Sequence, residues 1–179
     1  MSFTILGICG SLRKASRNMG LLRCAREEMP AGYTLVIADI SELPLFAEDR
    51  AKPQAAITLI EQVKSADAFL LACPEYNYSV APALKNALDW VSREAGALFA
   101  GKPAAILGAG GGMGTARAQY HLRQTCVYLD LRVLNKPEVF AQAFSPAFAE
   151  NGDVSAAPEG QVLRGRIREL AETLCRAIG

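Results

Sequence analysis

The sequence predicts an α/β fold in which a five-stranded parallel sheet carries helices on both faces. Three observations lead there. Apolar runs and helical patterns alternate from one end of the 179 residues to the other. The run AFLLAC (68–73) is apolar at every position, as a central parallel strand covered on both faces must be. Three glycine- or proline-bearing loops follow predicted strands, and in a parallel sheet such loops emerge at one edge.

The elements follow in order. FTILGIC (3–9) reads as the first strand, and Leu22, Ala25 and Met29 mark one face of the helix after it. YTLVIA (33–38) is the second strand. SELPLFAEDRAKP (41–53) is a loop bracketed by Pro44 and Pro53. Ala56, Ile60 and Val63 recur at helical spacing before the third strand, AFLLAC. Pro82 is placed to open a helix, since its missing N–H costs nothing there. Leu84, Ala87, Leu88 and Val91 form that helix's apolar stripe, with Lys85 and Asp89 paired at i,i+4. PAAILGA (103–109) is the fourth strand, residues 112–129 the fourth helix and LRVLN (131–135) the fifth strand. Leu163, Ile167, Leu170, Leu174 and Ile178 give the last helix its core face. With no repeat or linker, residues 1–179 read as a single domain.

Composition narrows the function. A net charge of +1, from 19 basic and 18 acidic residues, calls for neither nucleic acid nor an anionic membrane. No apolar stretch approaches the roughly 18 residues that a membrane helix needs. The first residues, MSFTILGICG, read as a strand and not as a leader. Five scattered cysteines without a CxxC pair predict buried apolar thiols in a reducing cytoplasm, not a disulfide framework or a zinc site. His121 is the single histidine, so no metal site is expected.

The loops at the shared edge carry the chemistry. GSLRKASRN (10–18) brings Ser11, Arg13, Ser16, Arg17 and Asn18 to the start of a helix, a phosphate cradle by its donors and its dipole. Helix capping by Ser16 or Asn18 is the competing reading. In PEYNYS (74–79), Tyr76 and Tyr78 can cover a flat ring while Asn77 bonds its edge. GAGGGMG (108–114) offers backbone that a planar ligand can approach closely. Two nucleotide signatures fail: GALFAGKP (96–103) puts Pro103 where a P-loop has its hydroxyl, and the glycine run fits GxGxxG in no frame.

Taken together, GSLRKASRN, PEYNYSVAPALKNALDW and GTARAQYHLRQ closely resemble the NADPH-dependent FMN reductase family, nearest its bacterial quinone and chromate reductases. The resemblance implies a flavodoxin-like three-layer α/β/α fold with sheet order 2-1-3-4-5. It implies that Ser11, Arg13, Ser16, Arg17 and Asn18 surround the FMN phosphate. Pro74, Glu75, Tyr76, Asn77, Tyr78, Gly110 and Gly111 would surround the flavin ring. It further implies hydride transfer from NADPH or NADH through flavin N5 to a quinone, free flavin, azo compound or chromate, by a ping-pong mechanism. A homodimer or homotetramer is implied, with Arg117, Tyr120 and Glu138 at subunit contacts. Ala109, where relatives often carry a hydroxyl, departs from the pattern. The alternative is a flavodoxin-type electron carrier that does not oxidise nicotinamide.

Overall fold

A computed structural model describes residues 2–179. Strands alternate with helices as the hydrophobic pattern requires: β1 (Phe3–Cys9), α1 (Arg17–Glu27), β2 (Tyr33–Ile37), α2 (Gln54–Ser65) and β3 (Ala68–Ala72). A short hairpin follows, β4 (Glu75–Tyr76) and β5 (Ser79–Val80), and then α3 (Pro82–Ser92) and β6 (Pro103–Gly110). The chain closes with α4 (Ala116–Tyr128), β7 (Arg132–Val133), β8 (Val139–Gln142) and α5 (Pro158–Ile178).

The main sheet is parallel in the order β2-β1-β3-β6, with both β7 and β8 alongside β6. Side chains alternate across it with period two. Ile5, Leu70 and Leu107 pack with Leu21 and Leu22 of α1 and with Leu163, Ile167, Leu170 and Leu174 of α5. Their neighbours Leu6, Leu71 and Ile106 pack on the other face with Leu59, Leu84 and Leu122 of α2, α3 and α4. Each such buried leucine contributes about 1.5–3 kcal/mol, so the two clusters fix which helix covers which face.

The fifth strand position departs from expectation. LRVLN supplies only the two-residue β7, and pairing resumes at Val139 beside Leu107. Pro137 stands between the two pieces and has no N–H to give a ladder. Two further boundaries shift. Helix α1 ends at Glu27, so Met29 packs against the core from beyond it. Helix α4 begins at Ala116 because Gly114 has a φ of +60° and Thr115 is its N-cap. The 41–53 loop is held to α3, where Trp90 Nε1 and Asn86 Nδ2 donate to the Pro44 carbonyl at 2.8 and 2.9 Å.

Candidate functional site

Ten of the twelve predicted residues share one cleft of about 280 Å3 at the carboxyl edge of the sheet: Ser11, Arg13, Ser16, Arg17, Asn18, Pro74, Glu75, Tyr76, Gly110 and Gly111. Asn77 and Tyr78 do not join them. They line a separate depression beyond Glu75.

The first wall runs from β1 into α1. Ser16 caps the helix, its Oγ accepting from the Met19 N–H at 3.1 Å. Both ends of the Asn18 amide are engaged: its Nδ2 donates to the Ala109 carbonyl and its Oδ1 accepts the Ala109 N–H, both at 2.9 Å. Its amide therefore ties α1 to the end of β6; capping accounts for Ser16, whereas Asn18 makes a tertiary contact that is no cap. The backbone N–H groups of Arg17 and Asn18 have no helical partner, and no acidic residue occupies that first turn. The positive end of the α1 dipole thus lies at the cleft. Arg17 Nε is buried without a partner, and its guanidinium lies 5.5 Å from the centre of the Phe144 ring. Arg13 is exposed at the mouth.

The second wall is the β4–β5 hairpin, which the loop reading of PEYNYS did not foresee. Asn77 and Tyr78 have φ of 51° and 64°, the left-handed pair of a two-residue type I′ turn. Glycine normally fills the second of these positions; a tyrosine there is strained. Tyr78 is 65% exposed, and the Arg117 guanidinium stacks 4.0 Å from its ring centre. Glu75 anchors the hairpin's other strand. Its carboxylate accepts the Ala118 N–H at 3.2 Å and an Arg117 N–H at 3.3 Å, placing a negative charge at the N-terminus of α4.

The third wall is the turn after β6. A Cβ on Gly110 would collide with the Gly114 carbonyl oxygen, so this glycine serves the protein's own packing. At Gly111 a Cβ would meet nothing, and its backbone is bare to the cleft. Ala109, Ala143 and Phe144 complete the lining. The last two follow β8, outside the three loops singled out by composition, and the sequence carries no pattern that marks them.

Nucleophilic chemistry has no support here. All five cysteines are free and buried. Burial pushes the Cys9 thiol up and lifts Cys73 and Cys126 to about 12. His121 Nδ1 lies 3.2 Å from Ser79 Oγ at the exposed foot of the hairpin. Among the described residues, no group of acidic, histidine or cysteine side chains forms a metal site, and no helix is long and apolar enough to cross a membrane. Of the residues implicated in subunit contacts, Tyr120 donates to Glu138 at 3.2 Å and Lys136 pairs with the same carboxylate at 2.5 Å.

Residues 3–145 match the sequence pattern of NADPH-dependent FMN reductases. The chain belongs to the NADPH-dependent FMN reductase family. It is 48% identical over 178 residues to an NAD(P)H-dependent FMN reductase of Pseudomonas aeruginosa, a match covering 97% of this chain and 92% of that one. A quinone reductase of Escherichia coli is 41% identical over 140 residues, covering 75% of this chain and 74% of the other. Among solved structures, the flavoenzyme NAD(P)H:(acceptor) oxidoreductase FerB of Paracoccus denitrificans superposes with a TM-score of 0.84. The two are 28% identical, and the match covers 98% of each chain. These similarities agree with the flavodoxin-like sheet order; the cleft of this FMN reductase family member lies at the carboxyl edge of its parallel sheet.

Proposed function

We propose that this chain is an FMN-dependent NAD(P)H oxidoreductase, one flavodoxin-like domain over residues 1–179, that reduces quinones or chemically similar acceptors. The observation that carries the reading is the buried, unpartnered Nε of Arg17 in a cleft that also receives two free helix N–H groups. A buried guanidinium nitrogen without an acceptor calls for an anion. The phosphate of FMN fits there, with Ser11, Arg13, Ser16, Arg17 and Asn18 around it. Asn18 contributes through its backbone N–H, since its side chain holds the wall in place, while Ser16 Oγ, which accepts from Met19, keeps its own O–H to donate.

The bare backbone at Gly111, next to Gly110, supports a flat ring lying against that turn, with Pro74, Glu75 and Tyr76 closing the opposite side. When bound, FMN supplies two-electron hydride chemistry at ring N5, which no side chain in this cleft offers. The protein's task is to bind, orient and leave one face open. Asn77 and the exposed Tyr78 ring lie beyond the rim, on the route by which NADPH, NADH or an aromatic acceptor would approach.

Exposed Tyr120, Val127 and Tyr128 on α4, together with Arg117 and Glu138, support self-association as a dimer or tetramer. Five free cysteines support a cytoplasmic location. Steady-state kinetics with NADPH and a benzoquinone test the reading. Parallel double-reciprocal lines are expected, because donor and acceptor take the same open face in turn. Intersecting lines would contradict the shared face, and absence of turnover would favour an electron carrier.

A further inference from the structure

Phe144 is unusual for its place. The ring is 82% exposed although it lies in the cleft lining rather than on an outer surface. Its backbone is fixed on both sides: the Ala143 N–H donates to the Gly110 carbonyl at 2.8 Å, and the Ser145 N–H donates to the Gln142 carbonyl at 3.3 Å. A bridge between Phe148 and Val154 closes the following loop, and Arg23 pairs with Asp153 at 2.5 Å to hold that loop against α1. The turn therefore fixes the backbone that carries the ring, and the ring lies beneath the Arg17 guanidinium at 5.5 Å.

We propose that Phe144 is a positioning residue for the cofactor's phosphate: its ring is the platform that holds Arg17 over the cleft. The inference rests on the FMN reading above. Arginine is long and loses rotamer freedom when fixed. Arg17 also has an Nε that is buried and bonded to nothing. A cation held on an aromatic face keeps all its N–H donors free for an anion, whereas a carboxylate partner would occupy them. The exposed ring thus pre-organises a charge-assisted contact without competing for it.

Fluorescence titration of the full chain, freed of bound flavin, tests this with two ligands that differ only in the phosphate: FMN and riboflavin. Phe144→Leu keeps apolar bulk and removes the aromatic face. It is expected to weaken FMN binding about threefold, in line with an exposed cation–π contact, and to leave riboflavin unchanged. Phe144→Trp should restore FMN affinity. In an Arg17→Ala background, Phe144→Leu should have no further effect. Equal weakening for both flavins would mean that the ring touches the flavin itself, and would overturn the proposal. So would additive losses in the double variant, or unchanged FMN affinity in Phe144→Leu. A parent chain that binds neither flavin would remove the FMN reading and this inference with it.

Discussion

Two walls of the cleft leave the same sheet edge and are held by opposite means. The α1 wall is fastened from inside. Asn18 exchanges two buried hydrogen bonds with Ala109, Ser16 caps the helix, and Gly20 packs so closely on Gly152 that no Cβ would fit. The hairpin wall is fastened to α4, by the Glu75 carboxylate on Arg117 and the Ala118 N–H and by Arg117 stacked on the exposed Tyr78 ring, and it carries two non-glycine residues in left-handed conformation. On the function proposed above, the difference suits them to different work. A phosphate needs donors that do not move, because each misplaced charge-assisted bond loses most of its value. An acceptor that varies in shape is better met by a wall with strain to release and few buried contacts.

The largest expected effect lies on the fixed wall. Asn18→Ala leaves the Ala109 N–H and carbonyl buried and unpaired, a loss of about 2–3 kcal/mol. Thermal unfolding should shift down by roughly 5–10 °C for a chain of this size. A shift within error would mean that water replaces both bonds and that the wall is softer than its hydrogen bonds suggest. Next is Arg13→Ala, which removes an exposed cation at the mouth of the cleft without touching the core. FMN affinity should fall roughly tenfold or more, with unfolding unchanged, since a hydrogen bond to a charged group is worth about 1.5–3 kcal/mol. Unaltered affinity in a titration would remove Arg13 from the phosphate site.

The smallest effect sharpens the comparison most. Tyr78→Gly and Tyr78→Ala both delete the ring and its contact with Arg117, and they differ only in tolerance of a φ of 64°. The glycine variant should be the more stable by about 1 kcal/mol, measured by denaturant titration. Equal stabilities would show that the turn relaxes once the ring is gone, and that the tyrosine itself imposes the left-handed conformation.

What was legible beforehand follows the same division. The apolar runs of β1, β3 and β6 and the leucine spacing of α5 announce themselves, because burial on a sheet face or helix stripe leaves a periodic trace. The residues of the α1 wall were legible as a cluster, although their division of labour was not. Sequence spacing put Asn18 near a ligand; it could not show that Ala109, 91 residues away, takes both ends of its amide. The hairpin was hidden because Asn-Tyr is not the Asn-Gly pair that signals a type I′ turn. The split of the fifth strand was hidden because LRVLN is apolar enough for a strand, and the carboxyl half of β6 pairs instead with VFAQ beyond Pro137. Phe144 was hidden for a plainer reason: nothing periodic marks a single ring set on a turn.

The central claim is that this cleft holds FMN and passes two electrons from nicotinamide to an acceptor. An anaerobic absorbance spectrum of the full chain supplied with FMN tests it most directly. The account expects protein-bound flavin bands that bleach on addition of NADPH and return in full with one equivalent of benzoquinone. Bands that persist unbleached with both NADPH and NADH would contradict it and leave an electron carrier in its place.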